Sequence, residues 1–165
     1  MLKDIQSLHL PDPYYSGAAG FIGSTMEALH QDMAALALPQ DVPESVRRMH
    51  DGLRHAYIYS YFSYDLLTLA ASQTFPCLEL ALRLRIGSQF EGRLDRKGKP
   101  RPPVMLPELL ETAKAQGLIS AEIGWINHLR KMFAHGSDTV LNPPLFLEPF
   151  KAVTEIIAEL FTARE

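Results

Sequence analysis

Within Asn127-His128-Leu129-Arg130-Lys131-Met132-Phe133-Ala134-His135-Gly136, an Arg and a His stand five residues apart. The two types are complementary. A guanidinium keeps its charge and can grip phosphate through two parallel N–H bonds. An imidazole titrates near neutrality and can take or give a proton. Together they suit metal-free cleavage of a phosphodiester with a neighbouring hydroxyl. A base removes the ribose 2′-OH proton, the 2′-oxygen attacks phosphorus, the cation holds the developing oxyanion, and a proton donor assists departure of the 5′-oxygen. One His does not readily serve as both base and acid.

The element that must carry the pair reads as a helix. Glu122, Trp125, Ile126, Leu129, Met132 and Phe133 share one face at 3.6 residues per turn. Ser120 is the expected N-cap, Glu122 falls in the first turn, and Gly136 is the expected stop. The other face carries Asn127, His128, Arg130, Lys131 and His135. On an ideal helix Arg130 and His135 lie about 140° apart, with Lys131 between them. Two plainer roles stay open: His135 as a cation favourable to the helix C-terminus, and Arg130 as the partner of a carboxylate such as Glu79.

Arg130-Lys131-Met132-Phe133-Ala134-His135-Gly136 resembles the Arg-Asn-x-x-Ala-His-Gly signature of HEPN domains, with Lys131 where Asn is commonest. Leu78-Glu79-Leu80-Ala81-Leu82-Arg83-Leu84-Arg85 resembles an earlier helix of that family. The likeness covers roughly residues 53–161. It implies an all-α helical bundle, a metal-independent RNase of a toxin–antitoxin or phage-defence kind, and a two-fold dimer that brings two Arg–His pairs to one cleft. Arg130 and His135 would then be catalytic, with Lys131, Asn127 and Glu79 in support, Glu79 orienting a residue of the motif. Lys131 strengthens phosphate attraction, and its charge disfavours imidazolium. The alternative is a non-catalytic module on the same scaffold that binds RNA, a nucleotide or a protein partner such as an antitoxin.

Bulk properties narrow the classes. A chain of 165 residues, 47% hydrophobic, suits one compact domain with a true core. The expected organisation is an irregular arm over 1–16 and a helical bundle over 17–165. A net charge of −3 means that RNA binding must come from a local patch. The one candidate is the loop 87–103, with Arg96, Lys97 and Lys99 as its central cations, joined by Arg83 on the preceding helix; a solvated, mobile loop is the plainer reading of the same segment. A single cysteine, Cys77, excludes an internal disulfide and a cysteine-based zinc cluster. Neither His128/His135 nor His50/His55 has a common helical zinc spacing, so neither metal nor cofactor is expected. No apolar run reaches membrane-spanning length and no signal core opens the chain, which makes a cytoplasmic protein the expectation.

The remaining elements follow from periodicity. Residues 17–38 read as a helix, with Gly17, Gly20 and Gly23 suited to close packing. Glu44 to about Ser72 reads as one long helix, apolar nearly all round from Ala56 to Leu69, and therefore central or in a subunit interface. Pro76 calls for a kink or a new first turn. Glu79 and Arg83, four apart, can pair. Helices are expected over 106–116, with Pro107 in the first turn, and over 145–163.

Overall fold

The structure, a computed structural model, describes residues 2–16, 23–134 (backbone alone for 132–134) and 141–162. Among these it is all-helical, with no named strand: α1 (Met26–Ala34), α2 (Glu44–Tyr59), α3 (Asp65–Ile86), α4 (Leu106–Ala115), α5 (Gly124–Ala134) and α6 (Pro143–Phe161). A short 3-10 turn, Gly87–Phe90, follows α3.

The central element is α3, which packs against α2, α4, α5 and α6. Leu67, Phe75, Leu78, Leu82 and Ile86 of α3 are buried, and Ala70, Ala71 and Ala81 let neighbouring helices approach closely. Phe146, Phe150, Val153, Ile157 and Leu160 of α6 complete the core. At about 25 cal/mol per Å² of apolar area, such side chains supply most of the driving force for folding.

The expected single helix from Glu44 to Ser72 is instead two, broken at Ser60–Tyr64. The N-terminal arm supplies the reason. Asp12 N donates to Tyr61 O (2.7 Å), and Asp12 Oδ2 accepts from Tyr64 N (3.0 Å). Lys3 Nζ reaches Phe62 O (2.8 Å), and Tyr15, itself buried, shares a hydrogen bond with Ser60 Oγ (2.7 Å). The arm thus satisfies backbone groups that a continuous helix would have paired internally. The first helix is also shorter than expected. Thr25 caps it by accepting from Ala28 N (3.2 Å), and it ends at Ala34. The 17–22 part of that expectation, with Gly17 and Gly20, lies outside the described residues.

Pro76 starts no new helix but sits inside α3, on its exposed side. The Ser72 carbonyl, which loses its helical N–H partner there, belongs to the same solvent-side part of the helix. The motif helix begins at Gly124, later than expected. Ser120 is no cap: its N–H and Oγ bind the Glu159 carboxylate of α6 (2.6 and 2.7 Å). Glu122, placed by periodicity on the apolar face, is exposed and pairs with Lys114 (2.8 Å). The last helix starts at Pro143, with Asn142 accepting from Leu145 N (2.9 Å) as its cap.

Candidate functional site

Arg130 stands on α5 where that helix crosses α3. It is half-buried, and with Pro76, Glu79, Leu80 and Arg83 it lines an open cavity of about 350 Å³. Three of the residues singled out by sequence therefore meet: Arg130 from one helix, Glu79 and Arg83 from another. Pro76 and Leu80 form the apolar wall, which carried no chemical signal in the sequence.

The charges are not shared evenly. Glu79 Oε1 accepts from Arg83 Nε (3.1 Å) and Nη2 (2.6 Å), the pairing expected of residues four apart on a helix. Arg83 Nη2 also donates to Val104 O (2.6 Å). Glu79 therefore holds Arg83 and not Arg130. Among the described residues the Arg130 guanidinium makes no hydrogen bond or ion pair. Among the described residues, two guanidiniums against one carboxylate leave the cavity net positive, and the Arg130 fork does not hold that carboxylate. A carboxylate or a phosphate is the kind of group that such a fork matches.

Asn127 and Lys131 lie on α5 but not in the cavity wall. Asn127 is half-buried and Lys131 exposed. His135 lies outside the described residues, as do Gly136 and the side chains of Met132 and Phe133. On the other side of α5, Trp125, His128 and Leu129 face Glu148, Pro149 and Ala152 of α6 across an apolar groove of about 330 Å³. That groove offers a single imidazole and no arginine. A larger cavity, about 1000 Å³, lies between the N-terminal arm and the α2–α3 corner and includes Tyr14, Tyr59, Phe62 and Tyr64. The corner cavity is the larger, but only the cavity at Arg130 brings two guanidiniums together.

Apart from the exposed Glu27, whose carboxyl is lowered by hydrogen bonds with its own backbone and with Thr25, the groups with clearly shifted equilibria belong to the core. Burial pushes the Cys77 thiol up to about 12, which makes it a small apolar residue in practice. Burial also raises Tyr57, whose hydroxyl donates to Asp32 Oδ2 (2.8 Å). Tyr64 is raised to about 12 for the same first reason, and its hydroxyl donates to Leu141 O. The tyrosines of the apolar stretch thus divide: Tyr57 and Tyr64 are core, while Tyr59 is half exposed.

His50 was not legible as special. It is buried at 1% exposure, stacked on Phe150 with ring centroids 4.8 Å apart. Its Nε2 lies 2.9 Å from Thr154 Oγ1, whose own proton goes to Phe150 O (2.8 Å). Nε2 must therefore be the donor. Nδ1 is left as a buried acceptor with no partner among the described residues. Burial, aided by the Arg54 charge, holds the imidazole neutral and lowers its pKa to about 4.

Among the described residues no helix is long and apolar enough to cross a membrane, and no group of three or more His, Cys, Asp or Glu could hold a metal ion. Against known proteins, the chain matches no family model, no curated protein and no solved structure.

Proposed function

We propose that this chain is a metal-independent endoribonuclease of the HEPN kind, acting as a homodimer in a toxin or antiviral setting. The observation that supports it is the Arg130 fork, unpaired among the described residues, beside the Arg83–Glu79 pair in a net-positive cavity, on the helix that precedes His135 in sequence. Arg130 holds the scissile phosphate and stabilises the charge that gathers on its oxygens. His135 of one copy removes the 2′-OH proton. His135 of the second copy gives a proton to the departing 5′-oxygen. The new P–O2′ bond replaces the P–O5′ bond, so the products are a 2′,3′-cyclic phosphate and a 5′-hydroxyl.

The test is cleavage of single-stranded RNA by the purified protein in EDTA, with the product ends identified by mass spectrometry. Cyclic phosphate ends and 5′-hydroxyls are expected. Products with 5′-phosphates, or activity that EDTA removes, would contradict the mechanism. RNA or nucleotide binding without cleavage would instead favour the interaction module.

A further inference from the structure

The segment 91–103 is a closed finger and not a slack loop. Leu94 and Pro100 face each other across an isolated antiparallel bridge. Arg101 N donates to Arg93 O (3.0 Å), Asp95 N to Lys99 O (2.7 Å), and Gly98 N to Asp95 O (3.0 Å). The Asp95 carboxylate accepts from Lys97 N (2.8 Å) and Lys99 N (2.9 Å). Gly98, at φ +73, turns the tip through a conformation that other residues rarely adopt. The turn is thus held by backbone groups and the one carboxylate.

None of the tip cations is used to hold it. Arg93 is committed, with its guanidinium on Glu108 (2.6 Å) and 4.2 Å from the Phe90 ring centre. Arg96, Lys97, Lys99 and Arg101 are exposed, and their side chains make no hydrogen bond or ion pair among the described residues. Residues 93–101 hold five cations against Asp95, a net +4 in a chain of −3, so the remainder carries −7. A fixed concentration of positive charge on an acidic protein is an electrostatic docking point for an anion.

The finger's root joins it to the candidate site. Val104, just past the finger, accepts from Arg83 Nη2, and Arg83 lines the Arg130 cavity. From Lys99, past the turn, five residue steps lead to Val104, a span of at most about 17 Å.

We propose that the finger 93–101 is a docking arm for the RNA backbone, holding phosphates of the same strand whose scissile phosphate sits at Arg130. This rests on the nuclease reading for the identity of the polymer. Four exposed cations within six residues, unpaired among the described residues, suit a polyanion with closely spaced charges. The tip, Arg96-Lys97-Gly98-Lys99, has no apolar side chain to enter a bilayer.

The experiment uses the full chain and a single-stranded, 2′-O-methylated RNA of about a dozen nucleotides, which can bind but cannot be cut through its 2′-oxygens. Fluorescence anisotropy is recorded against salt for the wild type and for the fourfold variant Arg96→Ser, Lys97→Ser, Lys99→Ser, Arg101→Ser. Four contacts to single-stranded phosphates correspond to a loss of roughly 3 in the log–log salt slope. The wild type's affinity advantage should therefore shrink about 50-fold between about 50 and 200 mM salt. Equal affinity and slope in the two proteins overturns the proposal. So does finger-dependent binding to phosphatidylserine vesicles with RNA binding unaffected. Cleavage of unmodified RNA by the wild type in EDTA is scored separately. Cleavage with an indifferent fourfold variant sinks the arm and spares the nuclease. Finger-dependent binding without cleavage sinks the nuclease and leaves an RNA-docking arm.

Discussion

Acid should destabilise this fold through His50 before its carboxylates become protonated. The folded imidazole has a pKa near 4 against about 6.5 in the unfolded chain. Between those values the unfolded chain binds more protons, so stability falls as pH falls. The contribution is fully present above pH 6.5 and is lost on the way down to about 4. One pKa unit corresponds to 1.36 kcal/mol. For this shift the loss is about 2 kcal/mol by pH 5 and about 3 kcal/mol by pH 4. Its first cause is burial, since protonation would charge a ring whose Nδ1 has no partner among the described residues, and the Arg54 charge adds to it. The assay is urea unfolding followed by circular dichroism at pH 7.5, 6, 5 and 4.5, for the wild type and for His50→Phe. Phenylalanine keeps the stack on Phe150 and removes the titrating ring. With a urea m-value of about 2 kcal/mol/M, the wild-type midpoint should drop by about 1 M relative to the variant by pH 5. A difference between the two proteins that does not change with pH would refute the argument.

Other outcomes follow from particular contacts. Glu79→Gln should tighten phosphate binding by releasing Arg83, while changing stability by less than about 1 kcal/mol, because the pair is partly exposed; binding titrations and thermal melts check both halves. Asp12→Ala removes the acceptor for Tyr14 N and Tyr64 N and should cost about 1–3 kcal/mol, with faster proteolysis of the arm, as urea titration and limited trypsin digestion would reveal. Cys77 should resist a thiol reagent until the protein unfolds, so its labelling rate should follow the unfolding equilibrium across a urea series.

The helical class was legible because apolar period outweighs local preference. Phe146, Phe150, Val153, Ile157 and Leu160 could only share a face on a helix, and in α6 they do. The Glu79–Arg83 pair was legible from spacing alone. The break at Ser60–Tyr64 was not. It depends on Lys3, Asp12 and Tyr15, about fifty residues away in sequence, and no local pattern announces a long-range backbone partner. The start of α5 was misplaced for the same reason: Ser120, a sound capping type, serves Glu159 of another helix. The meeting of Arg130 with Arg83 needed the α3–α5 crossing, which periodicity does not give. The basic segment was visible as composition, but its closed shape rests on one carboxylate, Asp95, whose acceptor role appears only in three dimensions.

The central claim is that Arg130 and His135 together cut RNA without a metal. Its most direct measurement is the single-turnover cleavage rate in EDTA of the wild type, Arg130→Ala, Arg130→Lys and His135→Ala, each first shown by circular dichroism to be folded. Cleavage is expected from the wild type, none from His135→Ala, strong loss in Arg130→Ala and incomplete recovery in Arg130→Lys, since an ammonium lacks the two-pronged fork. Folded His135→Ala or Arg130→Ala protein that cuts at the wild-type rate would contradict the claim.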